Sequence, residues 1–216
     1  MPKIDFTSYP YVSQRMPVFA RNVVATSQPL AASAGLEAMR RGGNAMDAAL
    51  STAIALTVVE PTSNGIGSDA FALVWAEGAL HGFNGSGRSP MGWKADKFAG
   101  LSSMPRRGWG PVTVPGAVDA WAQCSRRFGR MPFSELFDAA VRYAEDGYAV
   151  SPVTAAVWAR AATAFTEFPA WNSTFMFDGA PPAAGQTIHL PDHARTLQDI
   201  AETEGESFYH GALASQ

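Results

Sequence analysis

The chain has 216 residues, of which 47% are apolar and 16% are charged, and it carries a net charge of −3 at pH 7. This composition excludes a disordered chain, and the acidic balance offers no basic surface for nucleic acid. The charged fraction is below the ~25% usual in soluble domains, which indicates a surface that a partner covers. The one cysteine, Cys124, excludes an internal disulfide and a cysteine-based metal site.

The N-terminal residues 1–22 are predicted to form an extended arm, because three prolines interrupt regular structure there. No apolar secretory signal is visible in this arm, so we expect a cytoplasmic protein by default and leave a periplasmic or secreted location open. The longest apolar stretch, residues 45–59, is shorter than the ~20 residues of a membrane span, and no membrane partner is expected. Residues 23–216 are predicted to form one domain.

Two helices are predicted after a short strand at residues 23–26. A proline in the first turn and a Gly-Gly pair after the last turn indicate a helix over residues 30–41. Asn44 is a good N-cap for a second helix over residues 45–59, and Asp47 lies three positions further, where it favours the helix dipole. This second helix is apolar on most faces, which is typical of a buried helix.

The remaining elements follow from apolar runs and turn residues. Residues 70–76 and 80–84 flank a Glu-Gly turn and indicate a hairpin whose first strand lies in the core. A further short strand is predicted at residues 112–114. The C-terminal half is predicted to be mainly helical, with a Pro- and Gly-rich loop over 169–194 and helices over 117–128, 132–146, 152–168 and 195–204.

Two glycine-rich loops are the candidate functional segments. The loop over residues 62–69 can present backbone N–H groups to an anion or an oxyanion, or it can be a tight turn in which glycine adopts a positive φ. The loop over residues 84–90 leaves the same two alternatives and adds Arg88. A guanidinium binds carboxylates in a bidentate manner, but an ordinary surface ion pair explains a lone arginine equally well.

Other chemical motifs are absent or weak. The sequence has neither a P-loop nor a G-x-S-x-G nucleophile motif, and no Ser/His/Asp or Cys/His set can be argued. His189 and His193 are four residues apart, but the Leu-Pro pair between them argues against a metal-binding helix face. They are interpreted as solvated loop histidines. Cys124 lies among alanine and tryptophan residues, and we expect a buried, unreactive thiol.

Several segments together resemble the γ-glutamyltransferase (γ-glutamyltranspeptidase) family. The most specific are the Gly-Gly-Asn-Ala-x-Asp-Ala-Ala string that starts at Gly42 and the Pro-x-x-x-Gly-Ile-Gly string that starts at Pro61. The resemblance covers about residues 18–216. The matching segments are residues 29–49, 59–67, 114–116, 128–130, 144–148 and 208–214.

The resemblance implies an N-terminal nucleophile (Ntn) hydrolase. Its fold is α+β, and this chain would be the N-terminal portion of a four-layer αββα sandwich, mostly helical with a few core strands. In the family a precursor cleaves itself, and the new N-terminal threonine of the small subunit is the nucleophile, with its own α-amino group as base. The implied partners are a small-molecule amide substrate and the downstream small subunit, with a higher oligomer left open. No catalytic residue lies in this chain, and no cofactor or metal is implied.

The candidate site departs from the family pattern at the arginine that holds the γ-glutamyl carboxylate. Family transpeptidases carry Arg-Glu-x-x-Pro, whereas Ser86 lies four residues before Pro90 here and Arg88 lies two before it. Ser68 also stands where glycine is usual. These changes resemble the transpeptidase-like branch that includes cephalosporin-acylase-type members. Arg88 and Ser86 are therefore the candidate substrate-binding residues.

Three functions follow as alternatives. The first is a hydrolase or transferase of γ-glutamyl amides such as glutathione. The second is an acylase of the same family that acts on glutaryl-type or other acyl amides, which the Ser86 and Arg88 pattern favours. The third, from another class, is a truncated remnant without catalysis. The chain alone is expected to be inactive in each case, because the threonine nucleophile is not within it.

Overall fold

The structure is a computed structural model that describes residues 18–215, and most of the predicted arm over residues 1–22 lies outside this range. The described part is α+β and mainly helical, as predicted, with two separate two-stranded antiparallel sheets, β1–β2 and β3–β4. In chain order the helices and strands are α1 (Pro29–Arg40), α2 (Ala45–Val59), β1 (Ala70–Ala76), β2 (Ala79–Gly85), α3 (Ala117–Phe128), α4 (Asp138–Asp146), β3 (Tyr148–Ala149), α5 (Pro152–Ala164), α6 (Pro169–Phe175), β4 (Thr187–Ile188), α7 (Pro191–Glu202) and α8 (Glu206–His210). Short 3₁₀ helices lie at Ala95–Phe98, Phe133–Phe137 and Leu213–Ser215.

The first two helices form a tightly packed pair, which confirms the helices predicted over residues 30–41 and 45–59. The Gln28 side chain accepts hydrogen bonds from the first backbone N–H groups of α1. Asn44 and Asp47 form a reciprocal capping box at the start of α2. The Asp47 carboxylate is fully buried and also accepts hydrogen bonds from the backbone N–H groups of Arg130 and Met131. Asp47 therefore joins the start of α2 to the segment that follows α3.

The predicted hairpin is present as β1 and β2, joined by a tight turn at Glu77 and Gly78 in which both residues have positive φ. One face of the hairpin packs on α3, with Ala72, Val74 and Phe83 half-buried against the core. The strand alternation places the large apolar residues of β1 on the opposite face, where they have no cover in the described chain. Phe71, Leu73 and Trp75 are 69%, 79% and 72% exposed, and Leu80 of β2 is 62% exposed. Only one face of β1 therefore lies in the core, which corrects the prediction of a core strand for the opposite, exposed face.

The C-terminal half is helical, but its element boundaries differ from those predicted. The helix predicted over residues 132–146 begins as a 3₁₀ helix and becomes α4 only at Asp138, because apolar spacing alone does not distinguish the two helix types. The helix predicted over residues 152–168 ends at Ala164. Phe168 is extended because Pro169 follows it, and Pro169 then opens α6.

Four other predictions were wrong. Residues 169–194 are not one loop, since they contain α6, β4 and the first turn of α7, and the helix predicted over residues 195–204 begins at Pro191. Residues 23–26 and 112–114 belong to no strand in the described chain. Val114 makes a single ladder-type bond, from its N–H to the carbonyl oxygen of Arg88 at 2.9 Å, so that segment crosses a neighbour without forming a sheet.

Candidate functional site

The second glycine loop is held in place by a close crossing of two backbone segments. Gly87 passes over Val114 so closely that a Cβ atom on Gly87 would lie 1.4 Å from the Val114 carbonyl oxygen. A Cβ atom on Gly116 would lie 2.1 Å from the carbonyl oxygen of Gly85. None of these three glycines has a positive φ, so glycine is required here for close approach and not for turn geometry.

The first glycine loop is hydrogen-bonded both to the start of α3 and to the second glycine loop. The carbonyl oxygen of Ser68 accepts a hydrogen bond from the N–H of Ala117, the first residue of α3. The Asp69 carboxylate accepts a bond of 3.3 Å from the N–H of Gly87. Gly65 and Gly67 also lack positive φ, so the explanation of this loop as a left-handed turn is wrong. The predicted anion site in it stays a prediction.

A cleft of about 520 Å³ opens beside the crossing, and it contains both residues that the sequence singled out, Ser86 and Arg88. One wall is the second glycine loop, and the other is formed by the outer side of α3 and the start of α8. The residues that line it are Asn84, Gly85, Ser86, Gly87, Arg88, Val114, Pro115, Gly116, Asp119, Ala122, Arg126, Glu204, Gly205, Glu206, Tyr209 and His210. Sequence reasoning missed the helical wall, because no local motif links α3 and α8 to the loop.

Ser86 and Arg88 differ in what they contact. The Ser86 hydroxyl donates to the Asn84 side-chain oxygen at 2.7 Å, and the Ser86 N–H donates to the same oxygen at 3.0 Å. Arg88 is exposed at the mouth of the cleft, and among residues 18–215 its guanidinium has no carboxylate partner. The alternative interpretation of Arg88 was an ordinary surface ion pair. Residues 18–215 do not form such a pair with Arg88.

The helical wall brings charges of both signs to the cleft. Arg126 lies 3.9 Å from Glu204, and the Asp119 carboxylate accepts a short hydrogen bond from Gln123. Glu206 adds a further exposed carboxylate at the start of α8. A cation on the loop side and carboxylates on the helical side together suit a small ligand that carries both an anionic and a cationic group.

The other candidate residues lie away from this cleft. His189 is exposed and its Nδ1 atom contacts the carbonyl oxygen of Glu145 at 2.9 Å. His193 is not a solvated loop residue, since it lies half-buried in α7 against Phe175, and burial lowers its pKa. No group of three His, Cys, Asp or Glu residues in the described chain is placed to hold a metal ion. Cys124 is buried, as predicted, and burial raises its pKa.

Comparison with solved structures shows which fold this chain has. Two solved structures superimpose on almost the whole chain. The cephalosporin acylase from Bacillus halodurans has 51% identity and a TM-score of 0.89, and the match covers 99% of this chain and 42% of the acylase. The Helicobacter pylori γ-glutamyltranspeptidase has 27% identity and a TM-score of 0.87, and the match covers 93% of this chain and 60% of that enzyme. The chain therefore has the Ntn-hydrolase fold of these enzymes, as the resemblance implied.

The family follows from the sequence comparisons. The model of the γ-glutamyltranspeptidase family matches residues 31–216, and the chain belongs to that family. A glutathione hydrolase-like YwrD proenzyme of Bacillus subtilis is 32% identical over 91% of this chain and 38% of its own length. The acylase ACY 1 proenzyme of Pseudomonas sp. (strain V22) is 31% identical over 90% of this chain and 37% of its own length. The chain thus spans a little over a third of these curated relatives. None of the helices between residues 18 and 215 has the length and apolar character of a membrane span.

Proposed function

We propose that this chain is the N-terminal part of the large subunit of a self-processing amide hydrolase or transferase that acts on γ-glutamyl amides such as glutathione. Residues 23–216 form a domain that downstream sequence completes, and that sequence supplies the threonine nucleophile. Support comes from family membership and from relatives that are named as proenzymes of glutathione hydrolases. The chain alone lacks the nucleophile and is inactive.

The observation that carries the proposal is the exposed Arg88 guanidinium, which lines a cleft of about 520 Å³ and has no carboxylate partner among residues 18–215. A γ-glutamyl group has an α-carboxylate and an α-ammonium next to each other. Arg88 binds the carboxylate by a charge-assisted, bidentate contact, and the Asp119 and Glu206 carboxylates face the ammonium. Ser86 narrows the loop side of the cleft and is oriented by its hydrogen bond to Asn84.

The reaction follows from an N-terminal threonine placed at this cleft. Its hydroxyl attacks the amide carbonyl carbon while its own α-amino group takes the hydroxyl proton and then protonates the leaving amine. The resulting ester is cleaved by water in hydrolysis or by an acceptor amine in transfer. Arg88 contributes positioning, since it holds the acyl group at the carboxylate remote from the reacting carbonyl.

The exposed face of the hairpin supports a downstream partner. Phe71, Leu73, Trp75 and Leu80 form a continuous apolar surface on one side of β1 and β2. Such a surface is unfavourable in water and marks an interaction site. The second sheet of the sandwich, contributed by the downstream part of the precursor, covers it.

A specific observation favours a second candidate function. Ser86 occupies the position of the carboxylate-binding arginine of transpeptidases, and a solved cephalosporin acylase is 51% identical to this chain. An acylase of glutaryl-type amides needs the carboxylate contact of Arg88 but has no ammonium to place. The two functions therefore differ in their use of Asp119 and Glu206.

Kinetics of the product of the complete gene test the proposal. We expect hydrolysis of γ-glutamyl-p-nitroanilide, and Arg88→Ala should raise KM by roughly tenfold or more, because a charged hydrogen bond to the substrate is lost. Arg106→Ala, which removes another exposed arginine outside the cleft, is the matched control and should leave KM unchanged. A preference for glutaryl-p-nitroanilide would support the acylase instead. Hydrolysis of neither amide would support the remnant, and an unchanged kcat/KM in Arg88→Ala would remove Arg88 from the site.

A further inference from the structure

The start of α3 has an unusual cap. Gly116 precedes the helix and has no side chain to accept from the first backbone N–H groups, which are normally satisfied by a capping residue. Tyr209 lies in α8, which is 90 positions further along the sequence, and its hydroxyl accepts a hydrogen bond from the Asp119 N–H at 3.0 Å. The same hydroxyl donates to the carbonyl oxygen of Pro115 at 2.8 Å. One tyrosine hydroxyl thus bridges both sides of the Pro115–Gly116 corner.

The position of Tyr209 is itself well determined. Gly205 immediately precedes α8 and has a φ of +88°. A Cβ atom on Gly205 would lie 2.9 Å from a methyl group of Val118, so the start of α8 packs closely against α3. The Tyr209 ring packs edge-on against Phe208 at a centroid distance of 5.1 Å. Burial raises the pKa of Tyr209, so the hydroxyl keeps the proton that it donates to Pro115.

The corner that Tyr209 holds is in direct contact with the second glycine loop. Gly116 lies against Gly85 with no room for a side chain, and the N–H of Val114 donates to the carbonyl oxygen of Arg88 at 2.9 Å. A displacement of the corner therefore moves the backbone on which the Arg88 side chain is mounted. Tyr209 is thus linked to the second glycine loop through the Pro115–Gly116 corner.

We propose that Tyr209 is a positioning residue of the substrate cleft, which holds the Pro115–Gly116 corner and through it the loop that carries Ser86 and Arg88. Tyr209 acts through hydrogen bonds to backbone and touches no reacting atom. This role presupposes the amide-hydrolase cleft proposed above. It assigns a role to one residue of the segment 208–214, which the sequence indicated only as a match to the family.

The test compares Tyr209→Phe with Tyr143→Phe in the product of the complete gene. Tyr143 is also half-buried and also donates from its hydroxyl to a backbone carbonyl, that of Leu30, but outside the cleft. Tyr209→Phe should raise KM for the amide substrate roughly threefold to tenfold with kcat changed less than about twofold, the effect of one misplaced hydrogen-bonding contact. Tyr143→Phe should change thermal stability without changing KM.

Amide hydrogen exchange supplies a readout that needs no substrate. In Tyr209→Phe the amides of Asp119 and Val114 should exchange faster relative to the amides of α2, whereas Tyr143→Phe should leave this ratio unchanged. If neither amide substrate is hydrolysed, the proposed function fails, and the exchange ratio still decides the role of Tyr209. Unchanged exchange at Val114, or equal KM shifts in both variants, would overturn the positioning role.

Discussion

Asp47 joins two parts of the helical fold that are distant in sequence. Its carboxylate is fully buried and accepts backbone hydrogen bonds from Asn44 at 2.7 Å, from Arg130 at 3.0 Å and from Met131 at 3.3 Å. The sequence predicted Asp47 only as a favourable charge in the first turn of α2. The bonds to Arg130 and Met131 span more than 80 positions of sequence and have no local signal.

Replacing Asp47 by Asn should destabilise the protein by roughly 3 kcal/mol, because an amide nitrogen replaces an acceptor oxygen and meets backbone donors in a buried site. Asp138→Asn is the control, since Asp138 pairs with Arg41 at the surface and such pairs contribute ~0–1 kcal/mol. Urea unfolding of both variants measures the difference. Equal losses of stability would contradict the role assigned to Asp47.

The reactivity of Cys124 is a second property of a single residue that can be tested. The thiol is buried in α3, and burial raises its pKa, so little thiolate forms near neutral pH. We expect Ellman's reagent to leave the folded protein unmodified and to label one thiol per chain in denaturant. Labelling of the native protein at the rate of free cysteine would show that the thiol is accessible.

Among the helices and strands, those whose ends are set by local caps and turns were predicted correctly from the sequence. Caps, turn residues and apolar spacing located α1, α2, α3 and the hairpin to within about a residue. The same local patterns gave wrong predictions where a tertiary contact or a proline determined the structure. Pro169 opened a helix inside a predicted loop, and residues 112–114 had no strand to pair with. The candidate residues Ser86 and Arg88 line one cleft, and its helical wall comes from elements that are distant in sequence. Their role in substrate binding stays a prediction.

The close crossing of the glycine loop and the Val114–Gly116 segment makes a prediction about two glycines. Gly87→Ala should destabilise the protein by roughly 1–3 kcal/mol, because the added Cβ atom collides with the Val114 carbonyl group. Gly65→Ala is matched, since Gly65 also lacks a positive φ but has nothing within 4 Å of an added Cβ atom. It should change stability by less than about 0.5 kcal/mol. Thermal denaturation of the two variants compares them directly, and equal melting temperatures would argue against the crossing.

For the whole molecule, the uncovered hairpin face should govern the behaviour of the isolated 216-residue chain. We expect it to bind the dye ANS and to self-associate in sedimentation experiments, because large apolar side chains are exposed on one side of β1. Trp75→Lys should reduce both effects. Trp109→Lys is the control, since Trp109 is also highly exposed, at 84% against 72% for Trp75, but lies outside the hairpin. A monomeric chain that melts cooperatively and does not bind ANS would contradict a missing partner.

We propose that this chain works only together with a downstream part of the same precursor. Intact and native mass spectrometry of the product of the complete gene tests it most directly. We expect two chains in one non-covalent complex, one containing residues 18–215 and the other beginning with threonine. A single uncleaved chain, or a 22.9 kDa product with no second chain bound, would contradict it.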